Sequence, residues 1–304
     1  MKPVILDVDT GIDDALAITY ALNSPELDVI GITTCFGNNS LEKTTRNTLV
    51  VLEKAGKTVP VYRGADKPLK RDSREFPYHV HGEDGLGNSF AKDPILEAEE
   101  EHAVDYIIGQ VKKRPNEITL IPVGPLTNLA QAILKDPEII PLFKEVIIMG
   151  GAVFVPGNVT PHSEANIYTD PEAAELVFSS GLPVTVVGLD VTMKTLLPEA
   201  ALADWRAKGT DEAQFFADMT SFYMQAYETF EPGIGGCALH DPLAVGVAVD
   251  PDFVRTEEWT IKVVLEGEET GRTVASPAGG PKVQVCTVVK AAKFLNHFME
   301  TVLR

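Results

Sequence analysis

The stretch Asp7-Val8-Asp9-Thr10-Gly11-Ile12-Asp13-Asp14 places four carboxylates directly behind the apolar run Val4-Ile5-Leu6. Pro3 to Val8 predicts a short buried strand, and Ala15-Leu16-Ala17-Ile18 with Ala21-Leu22 predicts a helix with a buried face. Thr10-Gly11 supplies the tight turn between them. The acids therefore gather where a strand ends and a helix begins, the end of parallel strands at which open α/β sheets bind ligands. Asp7 and Asp9 share one face of the strand. Asp13 and Asp14 occupy the first helical turn, where the macrodipole favours negative charge. Carboxylates this close repel, and some must protonate unless a cation neutralises them. With no Cys or His alongside, the all-oxygen set suits a hard divalent ion, Ca²⁺ or Mg²⁺. The plainer alternative has two acids capping the helix and the others solvated.

Strand and helix patterns alternate after this turn. Leu27 to Phe36, Val59 to Tyr62, Ile118 to Ile121, Val146 to Met149 and Val184 to Leu189 read as strands. Helices are predicted from the cap signal Asn39-Ser40-Leu41-Glu42 to about Ala55, from about Ala103, from Leu126, and over Pro171 to Ser179. This order predicts an α/β fold, a mostly parallel central sheet flanked by helices. Trp259 to Leu265, Arg272 to Ala275 and Val283 to Val289 read as a small C-terminal β meander, followed by a helix from about Ala291. No repeat, linker or composition break divides residues 1–304, so one domain is expected.

The formal net charge of −18 argues against nucleic-acid backbones and anionic membranes as partners. Hydrophobic content of 44% and charged content of 23% are ordinary for a globular chain with a sizeable core. Cys35, Cys237 and Cys286 are odd in number and far apart, which fits reduced thiols in a cytoplasmic protein. Met1-Lys2-Pro3 runs straight into the acidic strand, so no signal peptide is expected. No apolar run approaches the roughly 18 residues that span a bilayer.

Two loops exceed what a compact domain needs. Pro77 to Phe90 carries His79, His81 and three glycines, a composition shared by active-site lids and by plain surface excursions. Phe230 to Cys237 is glycine-rich and leads to His240-Asp241-Pro242, from which a metal ligand could come. Gly37-Asn38-Asn39 and Val123 to Asn128 follow predicted strands, and Gly157-Asn158-Val159-Thr160 leads into Glu164-Ala165-Asn166. Each alone is ordinary turn chemistry. Together they form a rim of amide and carboxylate oxygens that can satisfy sugar hydroxyls pairwise. Lys and Arg are nearly absent from these segments, which favours a neutral sugar over a phosphate ester. Tyr223 and Tyr227 share a helical face and could stack on a ring, or simply pack in the core.

Asp7-Val8-Asp9-Thr10 also fits the signature of haloacid dehalogenase-like phosphatases, with Asp7 as nucleophile and Mg²⁺ as cofactor. Such enzymes also need a distal GDxxxD-type acid pair, and this chain has none. A metal-dependent sugar-binding protein is the third alternative.

Seven segments occur in one order along nearly the whole chain: DVDTGIDDALA, TTCFGNN, HVHGEDGLG, VGPLTNLA, IMGGA, GNVTPHSEANIYTDPEAA and ALHDPLA. In this ordered set the chain resembles the nucleoside hydrolase family, the inosine–uridine-preferring type. Thr10 departs from it, since many relatives carry Pro there. The resemblance implies Ca²⁺ held by the side chains of Asp9, Asp14 and Asp241 with the main-chain carbonyl of Val123. It makes Asp9 the general base for a metal-bound water that attacks an oxocarbenium-like ribose, and Asp7 a support behind the metal site. Asp13, Asn38, Asn158, Glu164, Asn166 and Asp241 would hold ribose hydroxyls. His81 and His240 would face the nucleobase, and Tyr227, read from its helical face, could cover it. His240, which adjoins a proposed ligand and ordinarily titrates near neutrality, is the candidate acid for the departing base. The resemblance further implies a homodimer or homotetramer. Base preference is not legible in these segments.

Overall fold

Val4, Leu6 and Val8 point into one hydrophobic core and Ile5 into another, because successive residues of a strand face opposite sides of the sheet. The strand that carries them is the interior of a nine-stranded sheet, seen in the computed structural model, which describes residues 1–89 and 92–304. Phe90, the last residue of the long loop read from the sequence, lies outside the described residues.

The chain runs β1 (Lys2–Val8), α1 (Ile12–Asn23), β2 (Leu27–Thr34), α2 (Leu41–Lys54) and β3 (Val61–Arg63). It continues through α3 (Tyr78–His81), α4 (Ala103–Lys113), β4 (Thr119–Pro122), α5 (Thr127–Lys135) and β5 (Glu145–Met149). Next come α6 (Ala165–Thr169), α7 (Pro171–Ser179), β6 (Val184–Val187), α8 (Leu189–Thr192) and β7 (Leu196–Pro198). The last part holds α9 (Ala200–Ala207), α10 (Asp211–Phe230), β8 (Gly236–Ala238), α11 (His240–Val249), β9 (Val254–Val263), β10 (Thr273–Ser276), β11 (Val283–Val289) and α12 (Ala291–Thr301).

The sheet order is β10-β9-β11-β6-β5-β4-β1-β2-β3, parallel from β11 to β3. Helices α1, α2, α9, α10, α11 and α12 contribute to the core on one face, and α4, α5 and α7 to the core on the other. The expected α/β architecture is therefore present. The chain winds outward from β1 to β3, then crosses to β4 on the opposite side of β1. That reversal opens a crevice at the carboxyl end of β1, where such sheets take ligands.

The C-terminal strands correct the expected meander. All three exist, but β9 lies between β10 and β11, and β11 pairs in parallel with β6, so they extend the central sheet. Strand order reports non-local pairing, which the spacing of strands along the chain does not encode. The expected strand Val184 to Leu189 also stops early, because Leu189 opens α8. Cys35, Cys237 and Cys286 are all free and buried. Among the described residues no helix is long and apolar enough to cross a membrane.

Candidate active site

The turn after β1 folds its acids back on its own backbone. Asp14 accepts the N–H of Asp9 on Oδ1 at 3.1 Å and that of Gly11 on Oδ2 at 2.9 Å. Asn38, at the end of β2, donates its backbone N–H to Asp9 Oδ2 at 2.8 Å and its side-chain amide to Asp14 Oδ2 at 3.2 Å. Two glycines make room for Asp9: a Cβ on Gly37 would lie 2.1 Å from its Oδ2, and one on Gly124 2.6 Å from its Oδ1. Behind them, Asp7 accepts from Thr33 Oγ1 and from Asn128 Nδ2, each at 2.7 Å.

All five acids of this neighbourhood, Asp7, Asp9, Asp13, Asp14 and Asp241, are buried. Helix α1 packs against α11, which is how Asp241, distant in sequence, joins the cluster. Asp13, Asp14 and Asp241 each offer an oxygen, all within 4.8 Å of one another. This compact trio includes Asp13, where the expected metal set had Asp9; Asp9 instead contributes an Oδ1 that is buried and lacks any hydrogen-bond partner, as does Asp13 Oδ1. Burial pushes Asp13 up to about 7 and holds Asp9 and Asp241 well above the usual carboxylate range, with the neighbouring carboxylates adding to it. Asp14 is raised by burial too, against the backbone hydrogen bonds it accepts. Buried, mutually repelling carboxylates with orphaned oxygens are the donor set of a hard divalent cation. The Val123 carbonyl accepts from Asn166 Nδ2 at 2.6 Å and retains a second lone pair.

Above the cluster lies a cavity of about 650 Å³. Its wall includes the expected Asp13, Asn38, Val123, Asn158, Glu164, Asn166 and Asp241, together with His81, Tyr227 and His240. Asp7, Asp9 and Asp14 are buried and do not line it. Glu164 caps α6, accepting from the backbone of Asn166 at 2.9 Å and Ile167 at 3.1 Å, and from Gly151 at 3.0 Å. Asn158 Oδ1 accepts the Ala165 N–H at 3.0 Å, which leaves its amide group free to donate.

The long loop contributes more than a surface excursion. Its short helix α3 packs on α10 and places His79, Val80 and His81 on the cavity wall. His81 stacks on Tyr223, ring centroids 5.5 Å apart and 23° from parallel. Tyr223 and Tyr227 both line the cavity, while Gln225 between them is exposed. His240 opens α11 and is hydrogen-bonded through Nδ1 to Thr192 at 2.8 Å and through Nε2 to the Tyr227 hydroxyl at 2.5 Å. Burial lowers its pKa to about 4, so the expectation of a group titrating near neutrality is corrected.

Arg74 also lines the cavity and was not foreseen. It sits in the irregular stretch before α3, where no periodicity or motif marks it.

The profile of the family "Inosine-uridine preferring nucleoside hydrolase" matches residues 4–296. The chain belongs to that family. It is 39% identical over 280 residues to "Pyrimidine-specific ribonucleoside hydrolase RihB" of Escherichia coli (strain SE11), covering 91% of this chain and 88% of that one. Among solved structures it superposes on "Purine-Preferring Ribonucleoside Hydrolase from Gardnerella vaginalis" with a TM-score of 0.95 and 45% identity, over 99% of this chain and 98% of that one. "Plant nucleoside hydrolase - PpNRh1 enzyme" gives a TM-score of 0.94 and 36% identity, over 99% of both chains. The chain is thus a ribonucleoside hydrolase, an enzyme that cleaves the N-glycosidic bond of small-molecule nucleosides. The phosphatase alternative fails on this family and on the place of Asp7, which is fully buried and does not line the cavity. The named base preferences of the relatives differ from one another.

Proposed function

We propose that this hydrolase works with Ca²⁺ held by the carboxylates of Asp9, Asp14 and Asp241 and the carbonyl of Val123, with Asp13 adjoining. A bound calcium ion would neutralise these acids and lower the pKa of water at the site. The observation that carries this reading is the pair of buried, partnerless oxygens, Asp9 Oδ1 and Asp13 Oδ1, beside a cavity rimmed by hydroxyl-binding groups.

Asp13, Asn38, Asn158, Glu164, Asn166 and Asp241 hold the ribose, each acid accepting from a hydroxyl, Asn38 and Asn158 able to donate, and Asn166, whose amide hydrogens go to the Val123 and Met149 carbonyls, accepting through Oδ1. The same carboxylates place negative charge beside a sugar that becomes oxocarbenium-like as the C1′–N bond stretches. Asp9 takes the proton of the water whose oxygen bonds to C1′. Asp7, fixed by Thr33 and Asn128, backs this arrangement without touching the sugar. His81 and Tyr223 offer a stacked platform on the base side, and neutral His240 orients the Tyr227 hydroxyl towards the base. In this reading residues 1–304 are one catalytic domain, acting in the cytoplasm as a homodimer or homotetramer.

The test is free ribose released from inosine, uridine, cytidine and adenosine, with and without prior chelation. Release without added phosphate that stops on chelation and returns with calcium is expected. Undiminished release from exhaustively chelated enzyme would reject the metal-dependent reading.

A further inference from the structure

When the C1′–N bond breaks, an electron pair departs on the nucleobase, and the groups assigned above to the base side carry no positive charge to meet it. Nδ1 of His81 accepts the backbone N–H of Ile12 at 3.1 Å. An imidazolium has no acceptor nitrogen, so this ring is neutral. Both ring nitrogens of His240 are occupied by protein hydroxyls.

Among the described residues lining the cavity, Arg74 is the single Lys or Arg. Its guanidinium stays charged under all working conditions. The Nε is buried and without a hydrogen-bond partner, and among the described residues Arg74 forms no ion pair. It is near enough to Glu164 to favour that carboxylate, and near enough to His81 to disfavour protonation there. The cation thus shares the cavity wall with groups that hold the sugar and with groups assigned to the base side. A buried donor left unsatisfied on a cavity wall calls for a ligand acceptor.

We propose that Arg74 receives the leaving base, its guanidinium donating to the nucleobase carbonyl oxygen onto which charge moves as the bond breaks. This rests on the hydrolase reading above. The C1′–N pair leaves on the base and is delocalised to that oxygen. Water adds its oxygen to C1′ and its proton to Asp9. The base anion departs against Arg74 and takes a proton from solvent, and Asp9 returns its own to solvent. One water is consumed per nucleoside, and no other reactant is needed.

The experiment compares uridine with 4-nitrophenyl β-D-ribofuranoside, whose phenolate leaves without assistance, in wild type, Arg74→Met and Arg74→Lys. Arg74→Met is expected to lose about 10²–10³-fold in kcat on uridine, the usual cost of one preorganised charge donor. On the nitrophenyl riboside it loses less than about threefold, since little charge needs help there. Guanidinium ion added to the buffer restores part of the uridine activity of Arg74→Met. Arg74→Lys keeps the charge without the planar fork and falls between. Equal losses on both substrates, or no loss on uridine, overturn the assignment. A wild-type enzyme inactive on every riboside would overturn the hydrolase reading along with it.

Discussion

The backbone N–H of Ile12 donates to Nδ1 of His81 at 3.1 Å, joining the first turn of α1 to the loop helix α3 across 69 residues of sequence. That bond fastens one cavity wall to the acid turn itself. A Cβ on Gly11 would come within 2.6 Å of the same ring nitrogen. Gly11→Ala should therefore displace His81 foremost, with a smaller push on Asn38 Nδ2, which would lie 3.0 Å from the new Cβ. The expected result is KM for nucleosides raised about tenfold or more, since misplacing a binding group by an ångström is costly. Calcium affinity, measured by calorimetry, should change little. Loss of both together would show that the turn, not the loop, had moved.

Asp9→Ala removes a charge that sits buried against Asp13 and Asp14. Its kcat should drop by about 10³-fold or more, because a general base is lost together with a metal ligand. The melting temperature of the metal-free protein should nevertheless hold or rise, since burying that charge is unfavourable. A large fall in metal-free stability would contradict this account of the cluster.

Burial sets Asp7 at about 6 and Asp13 at about 7, against 3.8 for either residue unperturbed. From about pH 4 to 7 the folded metal-free chain holds more protons at these groups than the unfolded chain does. Their contribution to stability is thus fullest below this window and declines as pH rises through it. In chelator the melting temperature should fall between pH 5 and 8, whereas the calcium-induced increase should grow over the same range, because the ion binds the deprotonated forms. A metal-free melting temperature that climbed with pH would run against both expectations.

His240 and Tyr227 share a 2.5 Å hydrogen bond, and both line the cavity. His240→Ala and Tyr227→Phe should each lower kcat on uridine by about 10–10²-fold, and the double variant should be hardly worse than either. Additive losses would mean that the two act separately.

The acid turn was legible because all its parts are local: an apolar strand, a glycine turn and a helix start lie within a few residues. The parallel sheet was legible for a similar reason, as the alternation of strand and helix patterns leaves few other architectures. Four features were out of reach. The placement of β9 between β10 and β11 depends on partners far along the chain. The role of Asp13 in the compact oxygen trio depends on how α1 meets α11, while the spacing of residues 7–14 ranked it with three other acids. Nothing in the sequence marks Arg74, since a lone arginine in an irregular segment looks like any solvated cation. His240 was found by its neighbour Asp241, but its neutral state follows from burial, which sequence alone does not report.

Burial of all three cysteines raises each thiol's pKa and keeps it from solvent. Thiol reagents attack thiolates that they can reach, so the native chain offers them no target while folded. Glu83, exposed in the loop beyond α3, could then be exchanged for cysteine and carry a maleimide fluorophore as the only label on an otherwise unaltered enzyme. The surroundings of the loop that carries His81 could then be followed in solution as substrate binds, without first engineering the background away.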